Sequence, residues 1–96
     1  VSVDMLRETL EALEKIFISG KDNFWANVIH SLLDELNVSL DSADVSHLSR
    51  KIIHMYGGMG TFGDAVIYHN GTYPRQLNND LGLLRTQLYE IANRLA

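Results

Sequence analysis

The residues best placed to do chemistry are His47 and His54, seven apart, with Asp44 and Lys51 on the same helical face. Spacings of three, four and three make these side chains neighbours on one side of a helix. Paired histidines that hold zinc usually stand four apart, or recruit ligands from elsewhere in the chain. Here no HExxH is present, and Lys51 between the two histidines repels a cation. The face reads as a solvated polar surface, and no metal or cofactor is expected. His30 and His69 are isolated in sequence.

A second candidate is Gly57-Gly58-Met59-Gly60, which superficially resembles a phosphate-binding loop. Such a loop follows a strand and opens a helix, so that the helix N-terminus meets the phosphate. The order here is helix, glycines, strand, and the characteristic lysine is missing. The structural reading is stronger. Glycines let the chain leave one element, turn sharply and enter the next. Met59 and Phe62 would then point inward as plugs, and Asp64 would accept backbone hydrogen bonds. Gly57, Gly58, Met59, Gly60, Phe62 and Asp64 are therefore assigned to a structural loop, which can also present a recognition surface.

The carboxylates form the third group. Glu8, Glu11, Glu14, Asp34, Glu35, Asp41 and Asp44 fall mostly on outward helix faces. None is paired around an expected pocket, and neither a GxSxG elbow nor a supported Ser–His–Asp order is present. No catalytic residue is assigned, and the protein is not expected to be an enzyme. Solubility alone accounts for such residues. The sharper reading is an acidic surface that steers a basic protein partner, with Asp34, Glu35, Asp41 and Asp44 as its candidates.

Four amphipathic segments must position these groups. Leu6, Leu10, Leu13 and Phe17 recur at helical spacing between Asp4 and Ile18, with Ser2 as N-cap and Gly20 as a left-handed stop. Asp22 or Asn23 opens a second helix to about Leu36, with Trp25, Ile29, Leu32 and Leu36 inward and Phe24 flanking the stripe. Trp25 continues that stripe and reads as core. Ser39 or Asp41 opens a third helix to about Met55, with Val45, Leu48, Ile52 and Met55 inward. Ala65 to Tyr68 has the one convincing strand pattern. Asn70-Gly71 suits a turn with positive backbone dihedrals, and Thr72-Tyr73 can return as a second short strand before Pro74. Asn78, Asn79 or Asp80 caps a last helix carrying Leu81, Leu84, Leu88, Ile91 and Leu95. The expected fold is mainly α: a four-helix, bundle-like single domain over 1–96, with a glycine-rich loop and short β-hairpin between the third and fourth helices.

Composition narrows the class. The chain has 96 residues, 46% of them hydrophobic, and no cysteine, which excludes disulfide scaffolds and thiolate chemistry. No run of 18 apolar residues offers a membrane span. Eight Lys and Arg residues against a net charge of −4 leave no basic stripe for nucleic acid. A cytoplasmic protein with a protein partner is the expectation.

The run Tyr56-Gly57-Gly58-Met59-Gly60-Thr61-Phe62-Gly63-Asp64, then Gly71, Asn78-Asn79 and Leu81-x-x-Leu84-Arg85-x-x-Leu88-Tyr89, resembles a family of short bacterial proteins. Its members share a Tyr-Gly-Gly-Met-Gly-Ser-Phe-Asn-Asp-like motif and a closing Leu-Arg-x-x-Leu-Tyr helix. Thr61 and Gly63 depart from that motif. Residues before Tyr56 resemble the family only in helical pattern. Proteins of this kind are often encoded beside polymorphic or contact-dependent growth inhibition toxins, and serve as immunity proteins that bind and block the toxin. The resemblance implies non-catalytic inhibition of a cognate, basic toxin domain. It assigns no inhibitory residue, and the motif itself is expected to maintain the fold. The alternative is a small regulatory or scaffold module, homodimeric through an exposed apolar helix face.

Overall fold

A computed structural model describes residues 2–39, 41–57 and 61–96. It is mainly helical: α1 (Val3–Ser19), α2 (Asn23–Asn37), α3 (Ser42–Ile53), a 3-10 turn (Phe62–Asp64) and α4 (Arg75–Leu95). The first three helices begin where the local chemistry dictates. Ser2, Asp22 and Asp41 each accept a hydrogen bond from the amide three residues on, satisfying a donor the helix leaves orphaned.

Helix α1 packs on α2 and α4, α4 also packs on α3, and α2 meets α3 less extensively. Leu6, Leu10, Leu13 and Phe17 from α1, Ile29, Leu32 and Leu36 from α2, Leu48 and Ile52 from α3, and Leu81, Leu88 and Ile91 from α4 form one core. Its aromatic end is built around Phe62, fully buried, with Phe17, Trp25 and Tyr56 rings within 5.3–6.1 Å. Trp25 is half-buried against this cluster, whereas Phe24 is 68% exposed, off the inward stripe. A side-chain link joins α1 to α4: Gln87 Nε2 donates to Thr9 Oγ1 at 3.0 Å, and that hydroxyl donates to the Met5 carbonyl.

Three expectations are corrected. First, among the described residues no strand forms, and the expected hairpin shrinks to a single antiparallel bridge between His69 and Thr72. The turn itself is present. Asn70 (φ 52°) and Gly71 (φ 79°) both take positive dihedrals, and His69 and Thr72 exchange two backbone bonds of 2.8 and 3.0 Å. Register explains why pairing stops. Counting outward from His69–Thr72, Tyr68–Tyr73 is a non-hydrogen-bonded pair, and their rings lie 4.7 Å apart. The next hydrogen-bonded position would set Ile67 against Pro74, which has no N–H to give.

Asn78 takes over that role, which is the second correction. Its Oδ1 accepts from the Ile67 amide at 2.7 Å, and its Nδ2 donates to the Ile67 carbonyl at 3.0 Å and the Pro74 carbonyl at 2.9 Å. Helix α4 begins upstream, after Pro74, so neither Asn78 nor Asn79 nor Asp80 caps it. Proline suits this helix start because its missing donor falls where helices leave donors unpaired.

Third, Gly20 is not left-handed. Its φ is −84°, and Lys21 takes the positive value of 59°. Gly20 is needed for space: a Cβ there would lie 2.6 Å from Ile67 Cγ2. The extended 65–68 segment thus rests on the α1–α2 turn, with Ala65 and Ile67 buried and Val66 and Tyr68 exposed.

Candidate functional site

The four carboxylates singled out from sequence lie around the α2–α3 turn. Asp34 and Glu35 occupy the last turn of α2, Asp41 caps α3, and Asp44 lies in its first turn. For Asp41 and Asp44 the position follows from local helix chemistry, whereas Asp34 and Glu35 stand at the helix end where the dipole disfavours anions. Acidic side chains at a helix N-terminus accept from free amides and favour the dipole, and Asp41 Oδ1 accepts from the Asp44 amide at 2.9 Å.

The structure brings them to one corner but not to one point. Glu35 and Asp44 line a shallow concavity of about 260 Å3 with Val38, Ser39 and His47. Asp41 opens onto a neighbouring concavity beside Arg7 and Asn37. Asp34 turns toward α1, where His30 stands between carboxylates: Nδ1 is 2.8 Å from Glu14 Oε2 and Nε2 is 3.6 Å from Asp34 Oδ2. The hydrogen bond to Glu14, then the charges of Asp34 and Glu14, raise the His30 pKa above its ordinary value. Lys51 Nζ approaches Glu35 Oε2 at 2.9 Å. Val38, 72% exposed, stands among these groups. Sequence reasoning did not single out Glu14 or Val38; the first is joined to the site by folding, and the second falls in a helix break.

The glycine stretch borders a larger open groove of about 750 Å3, with His54, Tyr56, Gly57, Arg85 and Tyr89 among its lining residues. Gly58, Met59 and Gly60 lie outside the described residues. Gly57, at φ 117°, takes a backbone conformation that glycine adopts without steric cost. Asp64 is exposed, and among the described residues nothing donates to its carboxylate.

Three hydrogen bonds to α4 hold the stretch in place. Tyr56 Oη donates to the Arg85 carbonyl at 2.7 Å, and Arg85 Nη1 donates to the carbonyls of Phe62 and Ala65. Burial raises the Tyr56 pKa well above the usual phenol value, so the hydroxyl stays a donor at any physiological pH. In the sequence Arg85 stands out only within the resemblance motif Leu84-Arg85-x-x-Leu88-Tyr89; nothing in its neighbours reveals two carbonyls more than 19 residues upstream.

His47 on α3 and His54 just past its end are both exposed. Among the described residues no three His, Cys, Asp or Glu side chains are grouped so as to hold a metal ion. No described helix is long and apolar enough to cross a membrane.

Comparison with curated proteins and with solved structures finds no match. Residues 18–75, from the end of α1 into the first residue of α4, match a family described as a domain of unknown function (DUF6966). That span covers the acidic corner and the glycine stretch, and over this majority of its length the chain belongs to that family.

Proposed function

We propose that this protein is a cytoplasmic immunity protein, which binds a basic toxin domain and blocks it without catalysis. The observation that carries the reading is the α2–α3 corner, where Glu35 and Asp44 border the exposed Val38 and Asp34 and Asp41 lie on the adjoining helix ends. An apolar centre within a polar rim is the usual anatomy of a protein interface. Rim carboxylates raise the association rate with a basic partner and penalise an acidic one. The family resemblance of the Tyr56–Asp64 motif points the same way. The four helices supply a rigid bundle-like scaffold, and the toxin is occluded at its active site or substrate surface.

Changing Asp34, Asp41 and Asp44 to Asn and Glu35 to Gln tests the corner. Asparagine still caps a helix, so α3 keeps its start. Association with the cognate toxin domain should slow roughly tenfold or more at low salt, with the helical circular dichroism unchanged. Unaltered association would remove this surface from the inhibitory role.

A further inference from the structure

The 65–68 segment is a strand prepared on one edge only. Main-chain groups of alternate residues in an extended chain point to opposite sides. On one side the segment faces α4: Arg85 binds the Ala65 carbonyl, and Asn78 binds both groups of Ile67, while the Ala65 amide donates to the Phe62 carbonyl. Val66 and Tyr68 therefore direct their N–H and C=O groups the other way. Among the described residues none of these four groups has a hydrogen-bond partner in the chain.

Edges of this kind are normally guarded by charge or proline. The sequence Ala65-Val66-Ile67-Tyr68 contains neither, and the side chains flanking the edge, Val66 and Tyr68, are 53% and 58% exposed. Tyr73, its ring tilted against that of Tyr68 and 64% exposed, widens the apolar strip. Because α4 and the α1–α2 turn already fix the segment, little further ordering is needed for it to pair.

We infer that a second copy of this chain pairs along this edge, antiparallel and two-fold symmetric about Ile67. That register uses all four outward groups, with Val66 exchanging two hydrogen bonds with the partner's Tyr68, and Tyr68 with the partner's Val66. It also sets a β-branched side chain opposite an aromatic one on the exposed face, a favourable cross-strand pairing. A foreign strand would satisfy the same main-chain groups, but symmetry supplies the apolar match from residues already present. The interface is small, so the dimer is weak, with dissociation on the order of 100 μM. This inference is independent of the inhibitor reading.

Sedimentation equilibrium from about 10 μM to about 1 mM, with amide exchange followed by NMR over the same range, tests it. The mass should rise from one chain to two. The Ile67 amide should be protected at every concentration, and the Val66 and Tyr68 amides only where the dimer forms. Val66→Pro removes one outward donor, and Ala65 (φ −67°, ψ 135°) already has the backbone that precedes a proline. It should weaken association at least about tenfold. Val66→Lys with Tyr68→Lys sets like charges opposite each other and should abolish it, whereas Val66→Lys with Tyr68→Glu should restore it. A monomer at all concentrations would overturn the proposal. So would a dimer that leaves the Val66 and Tyr68 amides unprotected, or one that survives both Val66→Pro and the double-lysine change.

Discussion

At the residue scale, the side chains that do most to define this molecule act across long sequence distances. Asn78 is the clearest. In sequence, Asn78-Asn79-Asp80 before a leucine stripe has the composition of an N-cap. Its amide instead substitutes for the strand residue that Pro74 cannot be. Asn78→Ala should destabilise the fold by about 2 kcal/mol, since it leaves the main-chain groups of the buried Ile67 without partners. Chemical denaturation checks the magnitude, and faster exchange of the Ile67 amide would locate it. Gly20 is similar. Its place after an apolar helix fits a helix stop, but the reason for glycine is Ile67, 47 positions away. Gly20→Ala should cost about 1–3 kcal/mol by overpacking. Combined with Ile67→Ala, which opens space, the two losses should fall short of their sum. His30 tests the electrostatics. Its imidazole should titrate above about 6.5, the unperturbed value, and Glu14→Gln should bring the midpoint down, both measured by NMR. Because the folded-state pKa is raised, the protonated ring stabilises the fold below the unfolded value. That contribution is lost as pH rises through the raised pKa.

At the element scale, the helices were readable because their signals are local. Ser2, Asp22 and Asp41 announce α1, α2 and α3 through bonds only three residues long. The apolar stripes of all four helices map onto the buried core, with Phe24 the exception at a turn where a helix has only begun. The turn at Asn70-Gly71 was equally legible, since its dihedrals are a property of two residues. Strand pairing was not. Alternation in Ala65–Tyr68 correctly marks an extended segment with Ala65 and Ile67 inward. Whether such a segment finds a strand or a helix edge beside it depends on register and on α4, neither of which the alternation encodes. The start of α4 was misplaced for a related reason. Pro74 was read as the end of a strand, and it is also the residue that precedes a helix.

At the scale of the whole molecule, the chain is an elongated body of 44 × 23 × 20 Å with a net charge of −4. Such a body offers partners well-separated surfaces rather than one deep cleft. The acidic corner was half legible. Its four carboxylates are legible from the chain, and folding adds Val38 between Glu35 and Asp44, Glu14 and His30 at one side and Lys51 at the other. The central claim is that this corner meets a basic protein domain. Its most direct test is calorimetry against the toxin domain proposed as its partner, at two salt concentrations. Screening weakens attraction between exposed charges once salt shortens the Debye length from about 30 Å at 0.01 M to about 8 Å at 0.15 M. Tight one-to-one binding that loosens between those two conditions is expected. Absence of binding to a folded domain, or binding indifferent to salt, would contradict it.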